Sequence, residues 1–311
     1  MKRFMIPLIY HPIYSQLPLP EGHRYPINKY RLLQQAVEAK RAESSSWHKA
    51  FELFEPQPVS IEQVKQVHSA EYVDLLISGQ LAAPKMRRIG FPWSQQLIER
   101  TLCSAGGTSL SAEMAIEHGI AIHLSGGYHH AHHDFGSGFC LFNDLVVAAK
   151  HALTFEHIET VLIVDSDVHH GDGTATLCQH EPDIATLSFH CDKNFPARKP
   201  SSDFDGRLSR ETEDAEFLAS FEQVTQMALL HYQPDLIIYD AGVDIHEDDE
   251  LGYLNISSDA IYARDVFMFQ LAQEKQLPIA CVVGGGYRTE HQALVPIHMQ
   301  LIRAALNVYV S

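Results

Sequence analysis

A chain of 311 residues with 45% hydrophobic and 20% charged residues can bury a large core, and one domain over 1–311 is expected. The formal charge of −16 at pH 7 would repel a phosphate backbone and favours cationic partners, which argues against direct nucleic-acid binding. Cys103, Cys140, Cys178, Cys191 and Cys281 are scattered, odd in number and without a CxxC pair, so they predict reduced packing residues rather than disulfides or a thiolate zinc cluster. The opening MKRFMIPLIYHPIY has too many prolines and polar residues for a signal segment, and no later apolar run reads as a bilayer span. A cytoplasmic protein with no membrane partner is expected. The N-terminal part then reads as mostly helical scaffolding. Pro26 opens a segment with Ile27, Tyr30, Leu33 and Val37 on one face, Pro56 and Pro58 mark a break, and Ser60 with Gln63 forms a capping box.

From residue 120 the pattern becomes short apolar runs, each followed by a turn and then a helical stretch. The predicted strands are 120–124, 161–165, 184–189, 236–239 and 279–283, uninterrupted in the way of a parallel sheet covered on both faces. Residues 190–212 read as a long polar surface loop. In open parallel sheets ligands bind beyond the carboxyl ends of the strands, so the turns there are where chemistry is to be sought.

Four turns carry it. The first is GGYHHAHHDFGSGFC, from Gly126 to Cys140, where adjacent imidazoles repel when both are protonated and so split into a base and an acid. The second is DSDVHHGDG, from Asp165 to Gly173. On an extended segment Asp165, Asp167 and His169 project together, two carboxylates and an imidazole that suit zinc, Fe(II), Mn(II) or Co(II). Such ligands need partners to orient them, so one acid is free to serve a neighbouring histidine. The third begins at Asp240 and offers Asp244 as a further ligand, with the acids 247–250 read as a solvated loop. The fourth, Gly284–Gly285–Gly286–Tyr287, lets the backbone approach closely and presents a phenol suited to holding an oxyanion.

Together these segments, in this order, resemble the histone deacetylase family of the arginase/deacetylase superfamily. The AGVDIHEDDELGYLNIS stretch, with YHPIY and EGHRYPINKYRLL near the start, looks like the bacterial relatives of class IV deacetylases. The resemblance implies an α/β fold of three layers, a central and mainly parallel sheet flanked by helices. It implies a zinc-dependent hydrolase of linear amide C–N bonds, with Fe2+ or Co2+ as other metals, that removes acyl groups from lysine in peptides or proteins or from related amines. By it, Asp167, His169 and Asp244 are the zinc ligands. Asp165 is then no ligand but the partner of His129, and Asp172 is the partner of His130, the general base. Tyr287 is the catalytic tyrosine, and Gly138, Phe139 and Phe195 line the acyl-lysine tunnel. A structural potassium ion would involve Asp165, Asp167, His169, Ser188 and Phe189. His132 and His133 depart from many relatives. Rival readings are an acetylpolyamine or small-metabolite amidohydrolase, an arginase-like hydrolase with two metals, and a silent acyl-lysine-binding scaffold.

Overall fold

The computed structural model describes residues 5–310; the first four residues of the opening segment lie outside them. Eight strands, β1 (Ile6–Ile9), β2 (Phe51–Phe54), β3 (Ile120–His123), β4 (Val161–Asp165), β5 (Ile184–Cys191), β6 (Phe204–Leu208), β7 (Leu236–Asp240) and β8 (Ile279–Val282), form one sheet. Its order is β2-β1-β3-β8-β7-β4-β5-β6, and every neighbouring pair is parallel. Parallel pairing needs crossovers, and the helices Asp144–Ala152, Asp172–Cys178, Asp214–Tyr232 and Ser258–Lys275 join β3 to β4, β4 to β5, β6 to β7 and β7 to β8. Every residue of β3, β4, β5, β7 and β8 is buried, as a sheet covered on both faces requires. One apolar core runs from Ile6 to Ala305.

Local signals set the element ends. Ser60 and Gln63 cap each other as the sequence suggests, and the 24-residue helix Gln95–His118 starts on the Ser94 side chain and stops at Gly119. Gly119 is left-handed with φ 86°, which turns the chain directly into β3.

The five predicted strands are present within one or two residues of the expected ends, but three more are not in the sequence reading. β1 and β2 lie inside the N-terminal part that reads as helical, and β6 lies inside the 190–212 segment that reads as loop. β2 and β6 are the two edge strands, where one flank faces solvent and the apolar run is interrupted by Glu52 or by Asp205 and Arg207. A second correction concerns apolar length. His291–Val310 is long and apolar enough to cross a membrane by those criteria, although it packs on Ser258–Lys275 and Lys29–Glu43 as a core helix of this fold. All five cysteines are free and buried.

Register aligns the strand ends. Asp165 is level with Ser188 on β5 and Asp240 on β7, Asp240 with Val282 on β8, and Val282 with His123 on β3. The four motif-bearing turns therefore leave the sheet from one rank and converge beyond its carboxyl edge.

Candidate active site

The alternation that would carry Asp165, Asp167 and His169 to one side ends with β4 at Asp165, so the three part company. The carboxylate of Asp165 turns to His129, whose Nδ1 donates to its Oδ2 at 2.7 Å. Asp167 and His169 instead meet Asp244. His169 Nδ1 lies 2.9 Å from Asp167 Oδ1 and 3.2 Å from Asp244 Oδ2, and all three side chains are buried. Asp244 is held in turn by the Val168 amide, 2.8 Å from its Oδ1. Burial and the charge of Asp167 push the Asp244 carboxyl up to about 7. Two carboxylates so crowded are a poor pair for each other and a good one for a cation. Gly285, with φ 58°, passes directly over them; a Cβ there would stand 2.6 Å from Asp244 Cγ and 2.8 Å from Asp167 Oδ2. Only a glycine leaves this cradle open. The donor set, two carboxylates and one imidazole, fits a catalytic zinc ion with an open coordination position.

Beside the trio the two histidines of the first turn are fixed by separate acids. His130 Nδ1 donates to Asp172 Oδ1 at 2.6 Å, and the Nε2 atoms of His129 and His130 face each other at 3.1 Å. Burial alone would lower His129, but Asp165 and Asp167 overcome it and hold His129 well above its ordinary value. Burial and the charge on His129 bring His130 down to about 3, against the pull of Asp172. The same surroundings thus push the two adjacent imidazoles in opposite directions. His132 also bonds to Asp172, 3.0 Å from Oδ2, and to Thr176 Oγ1 at 2.9 Å, whereas His133 turns away to the Val67 carbonyl.

Tyr287 comes from the loop after β8, and its amide donates to Asp249 at 2.7 Å. Burial, then the charges of Asp167 and Asp244, raise its phenol well above 10, so it stays a donor at neutral pH. Phe139, at φ 67°, is held in a left-handed turn by its N–H, which donates to the Ile89 carbonyl at 2.8 Å. Its ring packs against Tyr25, Phe91 and Tyr287. Phe195 stands edge-on to His130 at 4.8 Å and is 43% exposed, which places it at the mouth. Together with Gly138, His169, Leu251 and Tyr253 these residues line a cleft of about 340 Å³. Ser188 and Phe189 lie on β5 beside the end of β4, and the Ser188 hydroxyl pairs with His190 Nδ1 at 3.1 Å.

Several residues that shape the site are absent from the sequence reading. Asp249, read with its neighbours as solvated, is half-buried and accepts the amides of Tyr287, Leu251 and Gly252; burial raises it to about 6. The N-terminal segment, read as scaffolding, sends Lys29 behind Tyr287, where its ammonium donates to the Gly285 carbonyl and burial lowers it to about 8. Asp144 anchors the first turn through the Gly127 and Tyr128 amides, and His68 bridges the His132 carbonyl and the Asn143 amide. Neither carboxylate oxygen of Asp240 has a hydrogen-bond partner among the described residues, and burial beside Asp165 raises it well above the carboxylate range. Only the register, which sets it against Asp165, reveals it.

Comparison with known proteins identifies the family of the chain. The histone deacetylase domain profile matches residues 24–300. An uncharacterised protein of Picosynechococcus is 39% identical over 97% of this chain and 99% of its own length. Histone deacetylase 2 of Arabidopsis thaliana is 33% identical over 76% of this chain and 63% of its own, and the acetoin utilization protein AcuC of Staphylococcus aureus is 27% identical over 76% and 66%. The chain thus spans about two thirds of those last two proteins. The crystal structure of the HDA15 HD domain superposes with a TM-score of 0.79 at 18% identity, covering 97% of this chain and 91% of that one, a likeness of fold.

Proposed function

Because this chain belongs to the histone deacetylase family, whose members hydrolyse amide bonds, we propose that it is a zinc-dependent amidohydrolase removing acetyl or longer acyl groups from lysine side chains or related amines. The observation that carries the reading is the meeting of the Asp167, His169 and Asp244 trio with the acid-held histidine pair and Tyr287 in one cleft. When bound by that trio, zinc, or Fe2+ or Co2+ in its place, would supply Lewis-acid polarisation of the acyl carbonyl and acidify water. The chain's own residues do the rest. His130, neutral and with its Nε2 free of carboxylates, takes a proton from the attacking water, and Asp172 stabilises the imidazolium that results. His129 or the newly charged His130 gives a proton to the leaving amine. The Tyr287 hydroxyl donates to the oxygen on which negative charge develops. Phe139 and Phe195 flank the alkyl stem of the substrate and keep water from the reacting atoms. The same reading expects potassium at Asp165, Asp167 and His169 carbonyls with Ser188 and Phe189, and it expects the protein to act in the cytoplasm.

The test is hydrolysis of paired acetyl-lysine and long-chain acyl-lysine peptides by the purified chain, before and after chelation and with zinc restored. Turnover lost on chelation and restored by zinc is expected, and the ratio between peptides reports the acyl space beyond Phe139 and Leu251. Metal bound without turnover of either peptide, or of acetylated polyamines, would reject the reading.

A further inference from the structure

A second group of metal-ligating side chains lies outside the cleft. His170 follows His169 in the turn after β4, His190 is near the end of β5, and Asp205 is on β6. One ligand atom from each lies within 4.8 Å of the others. Both histidines are fully buried, while Asp205 is partly exposed and opens the group toward solvent. Three of its buried polar atoms, His170 Nδ1, His190 Nε2 and Asp205 Oδ1, have no hydrogen-bond partner among the described residues. His190 Nδ1 is occupied by the Ser188 hydroxyl at 3.1 Å, which fixes the ring and leaves Nε2 buried with no hydrogen-bond partner among the described residues. Asp205 Oδ1 is likewise unpartnered, although His170 Nε2 faces it at 3.5 Å; its other oxygen is 3.5 Å from the Arg207 guanidinium. Two groups that face each other at this distance without the geometry of a hydrogen bond are arranged as ligands of a common ion are, and buried orphans of this kind are rare unless something satisfies them.

We infer that His170, His190 and Asp205 form a second metal site, one for a divalent transition ion such as zinc. Two imidazoles with one carboxylate exclude magnesium and calcium as natural occupants, since those ions take oxygen ligands. Neighbouring ligand atoms of a tetrahedral zinc ion stand about 3.3 Å apart, so the 4.8 Å group closes on the ion by side-chain rotation of Asp205, the most exposed member. The Ser188 hydroxyl acts as the partner that sets the ring orientation. Ser202 Oγ lies 3.4 Å from His170 Nε2, at the edge of the group.

The site has a structural consequence. His190 and Asp205 bracket the segment that carries Phe195, and the His170 amide is 3.4 Å from the Phe195 carbonyl. An ion there fastens both ends of the cleft's outer wall to the turn that also supplies Asp167 and His169, without touching substrate.

The experiment counts metal and does not depend on turnover. The full chain is stripped by chelation, reloaded with zinc chloride, desalted and measured by inductively coupled plasma mass spectrometry. The wild type is compared with Asp244→Asn, which weakens the cleft trio, with His190→Gln, and with the double variant. Two zinc ions per chain are expected in the wild type, one in each single variant, and close to none in the double. Cobalt(II) loaded into Asp244→Asn should give a visible d–d spectrum that His190→Gln abolishes. If His190→Gln does not fold, Asp205→Asn at the partly exposed ligand makes the same comparison. One zinc per chain in the wild type, or a count in Asp244→Asn that the second substitution does not lower, overturns the inference. A chain that holds two ions and turns over no acyl substrate would reject the proposed activity and leave this site standing.

Discussion

Replacing Tyr287 with phenylalanine isolates one atom of the proposed chemistry. The ring keeps its contacts with Phe139 and His169, and the main-chain bond from residue 287 to Asp249 does not depend on the side chain. What is lost is a hydroxyl that burial and the charges of Asp167 and Asp244 keep protonated, and hence a donor, at neutral pH. The donor acts in a buried cleft where water does not replace it, so its removal should raise the barrier by about 3–4 kcal/mol, the range found for single oxyanion donors. At about 1.4 kcal/mol per decade this is a loss of roughly 10²–10³ in kcat. KM should change little, because the carbonyl of the bound substrate carries far less charge than the transition state. The assay is steady-state hydrolysis of an acyl-lysine peptide, with zinc per chain measured on the same samples. The metal content should equal that of the wild type, since Tyr287 is not in the ligand trio. A rate within threefold of wild type, with metal retained, would refute the oxyanion role.

Asp172→Asn should lower kcat by roughly 10²–10⁴, by analogy with the loss of the buried acid in a catalytic triad, because the amide can hold His130 in the tautomer that has no free Nε2 lone pair; an unchanged pH–rate profile would speak against it. Gly138→Ala forces a side chain onto φ 53° and sets a Cβ 2.6 Å from His130 Cδ2, so it should cost about 1–2 kcal/mol in urea unfolding and more than tenfold in kcat. Acid should destabilise the fold through His68 and His123, which burial lowers to about 4 and about 3. Both are neutral in the fold, so their contribution is complete above about pH 6.5 and is lost as pH falls from there toward the folded values, at up to about 1.4 kcal/mol per pH unit each. Urea midpoints at pH 7.5, 6 and 5 should show that slope, and His68→Gln should flatten it.

Much of this site is legible because chemistry and topology coincide. Val161–Leu162–Ile163–Val164 is an uninterrupted apolar run, so its end, and the acids and histidines after it, are placed without a structure. The His129–Asp165 and His130–Asp172 pairings come instead from family resemblance, since alternation along an extended chain would have kept Asp165 with Asp167. The strand ends at Asp165, and after it side-chain direction follows the turn rather than the pleat. β1 and β6 are illegible for a different reason. Pro7 and Gly206 interrupt four- and five-residue strands, and a short strand that gains its stability from its neighbours has little periodicity to show.

Lys29, Asp144 and Asp249 mark where one-dimensional reading ends. Lys29 sits between Asn28 and Tyr30 in a stretch that reads as the polar start of a helix, and its partner is the carbonyl of Gly285 at the other end of the chain. The need for such a cation is electrostatic. The carboxyl edge of the sheet gathers buried Asp165, Asp167, Asp172, Asp240 and Asp244, with half-buried Asp249 beside them, in a chain that is already strongly acidic. Asp165 and Asp172 are each matched by a histidine of the first turn, and Asp240 is pushed toward its neutral form by burial and by Asp165. That leaves Asp167 and Asp244 with His169 between them, and Lys29 and Asp249 behind. A pair of carboxylates held this close is costly to bury unless a cation shares them, and here the His169 imidazole faces both and is raised to about 10 by its bonds to Asp167 and Asp244 against the pull of burial. The open cradle under Gly285 leaves Asp167, His169 and Asp244 together as a group suited to holding a metal ion.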